Sequence, residues 1–110
     1  EMQQMLGIEP KDDRDGCLQD IHWYGGDFGY FPTYTLGALT AAQMFAAAVQ
    51  ENSNILPSLE VGDFRPLYSW LRPKVHSRGH LLPASSLVEQ TTGAPLSVDS
   101  FKRHLQVRYL

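Results

Sequence analysis

An amide, a carboxylate, an imidazole and an indole stand close together in this chain, at Gln19, Asp20, His22 and Trp23. They belong to the run Gly16-Cys17-Leu18-Gln19-Asp20-Ile21-His22-Trp23. The run Phe28-Gly29-Tyr30-Phe31-Pro32-Thr33-Tyr34-Thr35-Leu36-Gly37 follows, and with Tyr24 it adds three phenols. An Asp two residues from a His can hold the imidazole in one tautomer, or the pair can point from one turn into a cleft. Phenols can donate to a developing oxyanion. Side chains of this kind bind and polarise a polar substrate. The same types also suit a polar, hydrogen-bonded loop anchored to a core by its Trp and Tyr. On residue types alone both readings stand open.

The remaining candidates carry less chemistry. His76 and His80 are four apart, a spacing that can ligate zinc from one helical face. Gly79 lies between them, no Glu follows His76, and the predicted helix ends here. The pair therefore reads as structural or surface-exposed. His104, in a basic helix, reads as solvated. Cys17 has only Arg14 as a basic neighbour and reads as an incidental thiol. Being the one cysteine, it cannot close an internal disulfide, which fits a reducing, cytoplasmic setting. No Gly-rich phosphate loop, Cys-x-x-Cys or Gly-x-Ser-x-Gly is present. The nucleophile or metal that the Gln19–Tyr34 group would serve is missing from these 110 residues.

The elements that must position this group read as helices. Met2, Met5 and Leu6 sit at helical spacing, with Gly7 as the C-terminal cap. Residues 9–16 form a polar loop. Residues 17–33 are too rich in Gly and aromatics for one regular element, with a Gly-Gly turn at 25–26. A long helix is predicted over about 34–52, capped by Thr33 with Pro32 just outside it. No charge occurs from Phe28 to Gln50. Ala38, Ala41, Ala42, Phe45 and Val49 form one face, and Leu36, Leu39 and Met44 make the helix apolar nearly all round. Pro32, Gly37 and Gln43 and the many small residues argue against a membrane span. Burial against other helices is the expectation, from a larger missing part or a partner chain.

Shorter helices follow. One or two turns are expected over 55–61. Phe64, Leu67, Tyr68, Leu71 and Val75 mark a helix over 64–76, capped by Asp63, with Pro66 in its first turn and a kink at Pro73. Residues 83–92 run from Pro83 to Gly93. Residues 97–109 carry Val98, Phe101, Leu105 and Tyr109, with Ser97 as cap. No alternating strand, repeat or low-complexity tract occurs. The fold class is all-α, in one segment: the end of a helix plus an active-site loop over 1–33, a buried helix over 34–52, and short helices over 55–110.

Length and charge narrow the setting. One hundred and ten residues make at most one small domain. The start, Glu1-Met2-Gln3-Gln4, has no secretory leader and no initiator Met, so a piece of something longer is expected. The net charge of -3 conceals an acidic first half and a basic second half. The basic residues Arg65, Arg72, Lys74, Arg78, Lys102, Arg103 and Arg108 are dispersed and lack interleaved aromatics. Nucleic acid is therefore not the expected partner.

The motif Gly16-x-x-Gln19-Asp20-x-His22-Trp23 resembles the Gly-x-x-Gln-Asp-x-His-Trp signature of the carboxypeptidase Taq family of thermostable metallocarboxypeptidases. The run from Phe28 to Gly37 resembles the segment that follows it there. The similarity continues through Gly62-Asp63-Phe64, Trp70-Leu71, Gly79 and Thr92-Gly93-x-Pro95-Leu96, so it covers essentially the whole chain. The resemblance implies an all-helical, zinc-dependent (or cobalt-dependent) exopeptidase that removes C-terminal residues from peptides in a long groove, as a homodimer. Its His-Glu-x-x-His metal helix, a later Glu ligand and an Ile/Val-Arg-x-x-Ala-Asp motif are absent from this sequence. The chain would be the C-terminal fifth of such an enzyme, holding no metal and inactive alone. By analogy with related helical zinc peptidases, the resemblance assigns His22 and Tyr30 to hydrogen bonding in the transition state, with Tyr34 as third choice. Gln19 and Asp20 would shape the site or bind peptide, and Trp23 would pack. The rival expectation is a helical interaction module that kept the scaffold and lost catalysis.

Overall fold

The computed structural model describes residues 1–110 and contains helices and turns but no strand. The all-α expectation holds. The chain divides into two compact units, Glu1–Thr33 and Tyr34–Leu110.

In the first unit, α1 (Met2–Leu6) stops at Gly7, whose φ of 70° is in the left-handed region that glycine adopts without a Cβ penalty. A 3₁₀ turn (Cys17–Gln19) leads into α2 (Ile21–Gly25). No residue of this unit is buried, and Pro10, Gly16, Asp20 and His22 alone are half-buried.

The second unit holds α3 from Tyr34 onward (Pro32–Glu51 in full), α4 (Ile55–Glu60), α5 (Arg65–Lys74), α6 (Ala84–Thr92) and α7 (Asp99–Tyr109). Three expectations need correction. Helix α3 begins at Pro32, because a residue with fixed φ and no N–H suits the first helical position. Thr33 is therefore inside the first turn, and its hydroxyl donates to the Tyr30 carbonyl at 2.6 Å. Helix α5 runs through Pro73 to Lys74, so that proline falls in the last turn, close to where the helix ends anyway. Helix α7 starts at Asp99, and Ser97 Oγ accepts from the Asp99 N–H at 3.1 Å from two residues ahead. Helix α6 ends on Gly93 at φ 80°, as expected.

The core of the second unit is Ala48 on α3, Ile55 on α4 and Trp70 on α5, with Met44, Phe45, Leu59, Leu67 and Leu71 packed against them. Two polar knots tie the helices across it. The Glu51 carboxylate accepts from Trp70 Nε1 at 2.9 Å and from Lys74 Nζ at 2.6 Å. Lys74 foremost, then Trp70, hold that carboxyl below its usual range. Buried Gln43 is the second knot. Its Nε2 shares two hydrogens among Thr92 Oγ1 (2.9 Å) and the carbonyls of Ala94 and Pro95 (both 3.1 Å), and its Oε1 accepts from the Ser97 N–H (2.8 Å).

Within this chain, α3 buries only Gln43 and Ala48. Ala42, Phe45, Leu56 and Val107 line an open apolar cavity of about 480 Å³, with Arg103, His104 and Arg108 at its sides. No helix is long and apolar enough to cross a membrane.

Candidate functional site

Asp20 organises the site by serving two ends of one turn. Its backbone is extended (φ -79°, ψ 110°), the conformation of a residue that caps a helix from outside. One oxygen, Oδ1, accepts from the His22 N–H at 2.9 Å, which satisfies a donor that α2 leaves unpaired at its start. The same oxygen meets His22 Nδ1 at 2.7 Å. The backbone hydrogen bond from His22, followed by the ring's own, lowers the Asp20 pKa, so this carboxyl is an ionised acceptor. Both side chains are about a quarter exposed, at 26% for His22 and 23% for Asp20.

The far end of α2 sets where the next residues go. Gly26 is left-handed at φ 76°, and the Asp27 N–H reaches back to the His22 carbonyl at 2.9 Å. This is the glycine-capped stop that sends a chain sharply off its helix axis. The turn returns Tyr30 and Phe31 to the imidazole. The Tyr30 ring stacks on His22 with centroids 5.5 Å apart and planes 22° apart, and the Phe31 ring tilts against it at 4.7 Å. Trp23 meets Phe28 edge-on at 5.5 Å. A cavity of about 250 Å³ opens here, lined by Asp20, His22 and Asp27 and by the rings of Trp23, Phe28 and Phe31.

The structure thus brings Asp20, His22 and Tyr30 together as a group. Gln19 is directed elsewhere: its Nε2 donates to the Arg14 carbonyl at 2.7 Å and ties the preceding loop. Tyr34 lies in the first turn of α3, in the other unit. Sequence reasoning gave no role to Phe31 or Asp27. Phe31 packs on the imidazole itself, and Asp27 adds a second carboxylate to the cavity wall. A Cβ at Gly25 would come within 3.1 Å of Asp27 Oδ2 and would push that exposed side chain aside. The local signal for Phe31 was its place beside Tyr30 in an aromatic run that ends at a helix-starting proline.

His76 lies in a 3₁₀ turn (His76–Arg78), and Gly79 at φ 50° and ψ -123° separates it from His80, so the two do not share a helical face. No group of three or more His, Cys, Asp or Glu side chains in this chain could hold a metal ion. The Nδ1 of His22 is already committed to Asp20.

Asp20, His22 and Tyr30 thus form a carboxylate–imidazole–phenol group in an all-helical chain. The family model described as carboxypeptidase Taq (M32) metallopeptidase matches residues 1–109. The chain belongs to this family. It is 45% identical over 104 residues to thermostable carboxypeptidase 1 of Thermus thermophilus, covering 94% of this chain and 20% of that protein. It is 40% identical over 107 residues to carboxypeptidase 1 of Bacillus subtilis, covering 97% of this chain and 21% of that one. The solved metallocarboxypeptidase 1 of Trypanosoma cruzi superposes with a TM-score of 0.87 at 39% identity, over 98% of this chain and 23% of its own. The M32 carboxypeptidase of Deinococcus radiodurans R1 does so with a TM-score of 0.86 at 35% identity, over 98% and 22%. The chain therefore spans about a fifth of the length of the relatives it matches. The family's name implies a metal, and the side chains present here do not fit one.

Proposed function

We propose that this chain is the substrate-side portion of a carboxypeptidase that releases C-terminal amino acids from peptides. The observation that carries the reading is the His22 ring, held by Asp20, flanked by Tyr30 and Phe31, and set at a small cavity in a chain matched end to end by the family. In this reading His22 and Tyr30 donate hydrogen bonds to the substrate carbonyl as negative charge develops on it. Gln19, Asp20 and Tyr34 shape the peptide-binding surface. The metal, zinc or cobalt, is held by residues outside these 110, in a cytoplasmic homodimeric parent enzyme. The segment Pro32–Glu51 is the helix that the rest of that enzyme covers.

Two assays test this. In the longer enzyme, His22→Ala should lower kcat by ~10²–10³-fold, the cost of losing one preorganised oxyanion donor. Turnover unchanged by His22→Ala would sink the assignment. The 110-residue chain alone should release no C-terminal residue from a peptide, and measurable release would overturn that part. A longer enzyme that binds peptides without cleaving them would favour the interaction-module reading.

A further inference from the structure

We infer that Asp20 is a positioning residue that keeps the proton of neutral His22 on Nδ1, so that Nε2 accepts hydrogen bonds when the ring is neutral and donates them only when it is charged. The inference rests on the substrate-site reading above and adds a protonation requirement to it.

The argument is geometric. The Asp20 oxygen that caps α2 is the one that meets His22 Nδ1 at 2.7 Å. An ionised carboxylate can only accept, so Nδ1 must carry a hydrogen at this contact. Neutral imidazole has one N–H, and with it on Nδ1 the second nitrogen has a lone pair and no hydrogen. Hydrogen bonding to a carbonyl oxygen, an oxyanion or a peptide carboxylate from Nε2 then requires the imidazolium. The titratable groups facing the ring are Asp20, Asp27 across the cavity, and the Tyr30 phenol. No Lys or Arg lines the cavity. The Tyr30 ring stacks on the imidazole and the Phe31 ring tilts against it. Nε2 is therefore a donor in the imidazolium and an acceptor in the neutral ring.

The tautomer is directly observable by ¹⁵N NMR of histidine-labelled protein across roughly pH 5–8, where an imidazole changes charge. Neutral His22 should show a protonated Nδ1 and an unprotonated Nε2. The reverse pattern, or equal averaging of the two, overturns the inference without any variant. Asp20→Ser keeps an oxygen to cap α2 but leaves Nδ1 without its carboxylate, and should shift neutral His22 to a majority of the Nε2–H form. Asp20→Asn keeps the acceptor oxygen without the charge, and should retain the Nδ1–H form. A tautomer that Asp20→Ser leaves unchanged overturns the positioning role. In the longer enzyme, Asp20→Ser should lower kcat by as much as ~10²-fold, as misplacement of a reacting group does, with KM changed far less. If the tautomer responds as stated and turnover does not, the carboxypeptidase assignment of His22 fails while the Asp20–His22 coupling stands.

Discussion

The two units of this chain hold their shape by different means. Glu1–Thr33 buries no residue. Its geometry comes from turn chemistry: a carboxylate cap at Asp20, a 3₁₀ turn, and a left-handed glycine at position 26. Tyr34–Leu110 buries Ala48, Ile55, Trp70 and Val88 and ties its helices through Gln43 and Glu51. The candidate chemistry sits in the unit without a core. Hydrogen bonds between residues two to five apart can aim a side chain, but they do not remove it from water. That division suits a surface that receives a substrate, and it places most of the folding free energy in the other unit.

Core truncation should separate the two most strongly. Ile55→Ala removes a fully buried side chain and should cost about 2–5 kcal/mol in denaturant unfolding of the second unit. The Asp20–His22 contact, followed by NMR, should persist at denaturant levels where that unit has already unfolded. Simultaneous loss of both would break the comparison. Gln43→Leu comes next. It removes the acceptor of the Ser97 N–H and the donor to Thr92, Ala94 and Pro95, at about 1–3 kcal/mol. Gly26→Ala should cost about 1–2 kcal/mol, the penalty of a Cβ at φ 76°, and should act on α2 alone. Circular dichroism reads the first effect, and the ring contacts between His22, Tyr30 and Phe31 read the second.

Acid should sharpen the contrast with the smallest effect. Arg65 holds the Asp63 pKa down to about 2, and Lys74 and Trp70 lower that of Glu51. A carboxyl whose folded pKa lies below its unfolded value stabilises above the unfolded value, and the gain is lost as pH falls through the folded one. The thermal midpoint of the second unit should therefore decline below about pH 4, the ordinary carboxylate range. Glu51→Gln should flatten part of that decline, and an equally steep one would remove Glu51 from the account.

The exposed apolar surface belongs to both units. Met5, Val61, Leu81 and Val107 are each more than 80% exposed. Surfaces of this kind drive association. Light scattering should find the chain self-associated, and a clean monomer would contradict the reading of Pro32–Glu51 as a helix covered in the longer enzyme.

What was legible in the sequence was local. Gly7 and Gly93 end helices because only glycine enters the left-handed region freely, and that preference shows in one residue. Asp20 and His22 could be paired on paper because they are two residues apart. The apolar period of residues 64–75 marked α5 although its exact ends did not match. Gln43 shows where such reading stops. In sequence it is a polar interruption in a charge-free helix, and its partners lie 49 to 54 residues away. Glu51 likewise meets Trp70 and Lys74 at separations of 19 and 23.

By itself the sequence determined the helical class, the family and the Asp20–His22 pair, because periodicity, motif and capping act within a few residues. Only the tertiary structure decided that Gln43 is a buried knot, that Glu51 joins α3 to α5, and that Phe31 packs on the imidazole while Gln19 turns to the Arg14 carbonyl. Those outcomes depend on where the chain returns in space, and no local preference encodes that return.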